Sequence, residues 1–113
     1  MNVNVEAVQD GLEESVRKGQ TPVEATGEAL WVADSDRQQG IVSRKTHDEL
    51  LKVIDEWLAT KMNVPLDELG PYRMIVAGYA QFLAERVSFD IKANPMATLD
   101  KARREWRERS GPS

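Results

Sequence analysis

The 113-residue chain has no cysteine, which removes disulfide frameworks, thiolate metal sites and cysteine nucleophiles from consideration. The absence also fits a reducing compartment, so the expected location is cytoplasmic. Histidine is nearly as scarce. His47 is the only imidazole, and Ser43, Arg44, Leu50 and Leu51 stand about one turn away, so no second metal-binding side chain is within reach along a helix. The expectation for His47 is a solvated residue in the first turn of a helix, neither ligand nor base.

Long apolar runs are missing too. The most apolar stretch, Met74 to Leu83, is far short of the ~20 residues of a membrane crossing. The opening Met-Asn-Val-Asn-Val-Glu has neither a basic region nor an apolar one, so neither export nor membrane insertion is expected. The seven glycines match neither a dinucleotide fingerprint nor a phosphate loop, and Gly11, Gly19 and Gly27 are evenly spaced without repeating neighbours. Asp34, Asp36, Gln38 and Ile41 superficially match a calcium loop. Its glycine is displaced to Gly40, however, and Lys45 stands where a bidentate glutamate is required. Asp67 and Glu68 are adjacent on a single helical turn and point about 100° apart, a poor acid–base pair. No enzyme, metal or cofactor is expected from these residues.

What the chain does have is 41% hydrophobic and 30% charged residues, the composition of one globular domain spanning residues 1–113. The charge is lopsided. Residues 1–36 hold eight acids and two bases, a net −6, and residues 37–113 hold eleven acids and thirteen bases, a net +2. A pI near 5.0 is the opposite of a nucleic-acid binder's basic footprint.

Helical periodicity runs nearly throughout. Val5, Val8, Leu12 and Val16 recur at helical spacing after the capping residue Asn4 and before Gly19. Thr21, Pro22 and Glu24 make a capping-box start for a second helix ending at Ala33. These are the acidic N-terminal helices, residues 4–33. Ala33 to Lys45 is polar and contains Gly40, which predicts a loop over 34–45, with a short hairpin over 29–45 as the competing form. Thr46 and Glu49 then cap a core helix over 46–62. A turn at Pro65 to Leu69 leads into a second core helix over 71–92, apolar on almost every side and therefore expected to be wrapped by the others or by a second subunit. Asn94 and Pro95 end it, and Thr98 caps a final helix over 98–109. The fold class is thus mainly α, a compact bundle of four to five helices.

The final helix, Leu99 to Ser110, carries five basic residues. Leu99, Ala102, Arg103 and Trp106 share a face, which predicts that Trp106 docks on the core. Acids interleave at i,i+4 (Asp100 with Arg104, Lys101 with Glu105, Arg104 with Glu108, Glu105 with Arg109), which argues for a solvated helix and against a nucleic-acid arm.

The functional expectation is a non-enzymatic acidic protein acting by protein–protein interaction, as an inhibitor, adaptor or small regulatory subunit. Compact acidic chains without catalytic groups are common among phage and mobile-element products that block host machinery. The expected contact is an acidic face of Glu6, Asp10, Glu13, Glu14, Glu24 and Glu28, with Trp31, meeting a basic partner surface. The alternative is a DNA-binding transcriptional or packaging regulator, with the turn at residues 63–71 inside a helix-turn-helix and Arg73 or the C-terminal arginines on phosphate. An enzyme would need a site shared with another subunit.

Overall fold

Helix ends in this chain are fixed by local hydrogen-bond chemistry. In the computed structural model, which describes residues 4–87 and 95–110, five α-helices follow one another: α1 (Val5–Arg17), α2 (Pro22–Gln38), α3 (Arg44–Met62), α4 (Gly70–Arg86) and α5 (Pro95–Ser110). A single 3-10 turn, Leu66–Glu68, precedes α4, and no strand is present among the described residues. Asn4 Oδ1 accepts from the Ala7 amide at 3.1 Å and starts α1. Thr21 and Glu24 form a reciprocal capping box at the head of α2.

Three helices stop on a left-handed residue. Gly19 has φ +104° and Gly40 has φ +75°, and each closes the paired backbone bonds of a Schellman motif. Asn63, at φ 56°, plays the same part after α3.

The loop expected over 34–45 is much shorter. α2 continues to Gln38 because its stop signal is Gly40, not the polar composition that begins at Asp34. Helix α3 starts at Arg44, capped by Ser43, whose Oγ accepts from the Thr46 amide at 3.1 Å; Thr46 is therefore inside the helix. The hairpin alternative over 29–45 is replaced by helix and a five-residue connection. Helix α4 ends at Arg86, with Val87 extended, and the rest of its expected span, 88–92, lies outside the described residues. Pro95 opens α5 at its first helical position, which puts Thr98 inside the helix.

Two apolar clusters make the core. Leu12, Ala25, Ile54, Trp57, Leu58, Leu69 and Val76 join α1 through α4, and Trp31, Tyr79, Phe82, Leu83, Leu99 and Ala102 join α2, α4 and α5. Leu30 packs against both. Trp106 docks as its spacing predicts, with ring centroids 5.0 Å from Tyr79 and 5.4 Å from Phe82. The wrapped central helix is not α4, whose Met74 is 77% exposed and whose Ile75 is also exposed. It is α2 that packs against α1, α3 and α4.

Gly27 sets how closely α2 and α4 approach. A Cβ built there would lie against the buried Tyr79 ring, 3.2 Å from Cγ and closer still to Cδ2. Gly27→Ala should therefore destabilise the fold by about 1 to 3 kcal/mol, although alanine is the better helix former. Trp106→Ala should cost ~2 to 4 kcal/mol by emptying its seat on Tyr79 and Phe82. Chemical denaturation measures both.

Candidate functional site

The acidic residues singled out by sequence do not form one face. Glu24 and Glu28 lie one turn apart on the side of α2 that meets α4 and α5, and they are turned inward. The Arg107 guanidinium grips Glu24, with Nε 2.8 Å from Oε2 and Nη2 3.2 Å from Oε1. Arg103 grips Glu28 in the same two-pronged way, at 2.9 and 2.6 Å. Glu28 also accepts from the Tyr79 hydroxyl at 2.9 Å and from the Gln20 amide. Burial and the Glu28 carboxylate together push the Tyr79 phenol far above its ordinary range, so it is a permanent donor. Burial works against the ionised Glu24. The hydrogen bonds from Arg107 and Thr21 outweigh it and hold the carboxyl below its ordinary value.

Glu13 accepts from the Trp57 indole N–H at 3.1 Å and pairs with Lys61 at 2.6 Å, and those contacts lower its pKa. Glu14 is held by Arg17 on its own helix. Trp31, expected on the contact face, is 6% exposed and belongs to the second core cluster. Glu6 and Asp10 remain, exposed and without an ion pair among the described residues. With Glu14 they form an i,i+4 stripe along α1.

Beside that stripe runs a second one of small side chains, Ala7, Gly11 and Ser15, and it forms one wall of a groove of about 410 Å³. The opposite wall belongs to α2, with Ala29, Val32 and Asp36, and Leu12 and Ile54 lie between the walls. Val32 is 44% exposed at this edge. A Cβ on Gly11 would meet nothing within 4 Å, so this mid-helix glycine faces open space. Charge composition pointed to α1 as the acidic element. The groove itself left a fainter signal, the spacing of Ala7, Gly11 and Ser15, which reads equally well as ordinary surface.

His47 is not solvated. It is 4% exposed, with Nε2 2.6 Å from Asp34 Oδ1, and it ties the last turns of α2 to the first turns of α3. Its Nδ1 is buried without a hydrogen-bond partner and faces Asp48 Oδ1 at 3.7 Å. Asp34 and Asp36 sit on α2 itself rather than on a loop, and no three acidic or imidazole side chains converge on a metal-sized site among the described residues.

The α5 ion pairs differ from the i,i+4 set expected from spacing: Arg103 pairs with Asp100 and Glu28, Arg107 with Glu24, and Glu105 with Arg86. Arg73 pairs with Asp55 at 3.0 Å. Among the described residues no helix is long and apolar enough to cross a membrane. Protein-family models, curated proteins and solved structures give no match to the chain.

Arg107→Ala should destabilise by about 1 to 3 kcal/mol, because Glu24 is left buried without its cation, whereas Arg104→Ala should stay within roughly 0.5 kcal/mol. The pH dependence has a definite sign. A carboxyl whose folded-state pKa is lowered adds stability that is complete above its ordinary value near 4.5 and is lost as pH falls through the folded-state value. Denaturation midpoints of Glu24→Gln measured across that acid window should show a shallower loss than the parent chain.

Proposed function

We propose that the protein is a binding module that takes an amphipathic helix of another protein into the groove between α1 and α2. The occupant's apolar face lies on Ala7, Gly11 and Val32, and basic residues along its edge face Asp10 and Asp36. The module then acts as an inhibitor, adaptor or small regulatory subunit.

Gly11 carries this reading. Glycine inside a helix destabilises it by roughly 0.5 to 1 kcal/mol relative to alanine, and no packing among the described residues recovers that loss at Gly11. Open space next to a missing Cβ lets another backbone come close. The exposed Val32 supplies apolar area at the same place, Asp36 lines the groove, and Glu6 and Asp10 on the neighbouring stripe of α1 supply complementary charge for a basic edge. The acidic contact face is thereby reduced to α1 and Asp36. The nucleic-acid alternative has less to draw on, since Arg73, Arg103 and Arg107 are engaged by Asp55, Glu28 and Glu24.

Gly11→Leu separates binding from folding. It should stabilise the isolated chain by about 0.5 to 1 kcal/mol while filling the groove. With a photo-crosslinking amino acid at Val32, the chain in its native cells should crosslink to a segment that reads as a basic-edged amphipathic helix, and Gly11→Leu should suppress that product. A crosslink indifferent to Gly11→Leu, or to a segment without that pattern, would place the contact elsewhere.

A further inference from the structure

Three of the five basic residues of α5 line a single cleft. It has a volume of about 370 Å³, and Arg103, Arg104 and Arg107 of α5 face it together with Lys18 at the end of α1. Two carboxylates, Glu14 and Asp100, are also on its wall, but each already has a cation: Arg17 for Glu14 and Arg103 for Asp100. The fold cancels only part of the positive charge. Glu24 holds the Arg107 guanidinium in its charged form, while the neighbouring Arg103 charge works against it. Lys18 and Arg104 are exposed and have no ion pair among the described residues. Arg104 is in this state although Asp100 and Glu108 stand one turn away on either side.

The buried carboxylates also position what they neutralise. A guanidinium has five N–H donors, and Glu24 takes only the Nε and Nη2 edge of Arg107. Nη1 of Arg107 makes no hydrogen bond among the described residues, yet it belongs to a group whose orientation is fixed. Lys101 and Arg109 do not line the cleft, and Arg109 lies over the Phe82 ring. Helix α5 therefore offers one pocket of positive charge rather than a track for a nucleic-acid backbone.

We propose that this cleft binds a phosphate dianion, free or carried as a monoester, with Lys18 and Arg104 supplying the uncommitted charge and Arg107 Nη1 a fixed donor. A doubly charged ion answers two unmatched cations, whereas a carboxylate answers one. Arginine forks also match the oxygens of phosphate. The site stands apart from the α1–α2 groove, with which it shares only Ser15.

The test titrates the isotope-labelled full chain at constant ionic strength and about pH 8, above the second pKa of a phosphate ester. The probes are inorganic phosphate, phenyl phosphate and, as the singly charged control, acetate. At least one phosphate probe should shift the amide signals of Lys18, Arg104 and Arg107 to saturation, and acetate should not. Lys18→Gln with Arg104→Gln should weaken that binding by about 10-fold or more, roughly one power of ten in Kd. Both side chains are exposed and unpaired, so the variant keeps its fold, which circular dichroism checks. Lys52→Gln with Lys101→Gln removes the same charge outside the cleft and should leave the affinity within about 2-fold. Tighter binding of phenyl phosphate identifies an esterified ligand, and equal or tighter binding of inorganic phosphate identifies the free ion; either upholds the site. Shifts that do not saturate, that acetate reproduces, or that both double variants weaken alike would overturn it and leave the groove reading untouched.

Discussion

Two carboxylates on the inner face of α2 decide how the C-terminal half of the molecule must sit. Removing Glu24 and Glu28 from water is costly unless cations follow them in, and among the described residues the cations that reach them are Arg107 and Arg103, more than seventy residues away in sequence. Each guanidinium makes two parallel bonds, a geometry that fixes position and rotation of α5 together. The Tyr79 hydroxyl joins α4 to the same carboxylate, and Gly27, between the two glutamates on α2, leaves room for the Tyr79 ring. Apolar packing then follows this frame: Trp106 settles on Tyr79 and Phe82, and Leu99 and Ala102 close the second cluster.

Next to Glu28 on α2, where the helix meets α1, the relation between charge and space is reversed. There α1 lies against α2 with small residues, and Asp36 on the groove, like Asp10 on the exposed flank of α1, has no ion pair among the described residues. The same helix thus uses carboxylates in two ways, as buried anchors where α5 covers them and as free charge where nothing does. The −6 of the first third of the chain is therefore an overestimate of the acid available to a partner, because Glu13, Glu24 and Glu28 are engaged within the fold.

Local signals were legible where one turn of chain contains the whole interaction. The caps at Asn4 and Thr21, the stop at Gly19 and the face of Leu99, Ala102 and Trp106 can each be read from a few neighbouring residues. Reading failed where two signals competed. Polar composition from Asp34 suggested a loop, yet helix persists to Gln38, because a helix ends where its carbonyls find new donors, and Gly40 supplies that geometry. Likewise Thr46 had the pattern of a cap, but Ser43 offers the same chemistry three residues earlier.

The sequence by itself determined that the chain is helical, where most helices begin and end, and that its acids crowd the N-terminal third, since capping, periodicity and charge sign are properties of neighbouring residues. Only the tertiary structure decided which acids meet water, that Trp31 and His47 are buried, that Met74 and Ile75 are not, and that Gly11 borders a groove while Gly27 receives a ring. Exposure depends on which helix lies across a residue, and that is set by pairings such as Glu24 with Arg107 between positions far apart in the chain. A pattern three or four residues long cannot contain such a pairing.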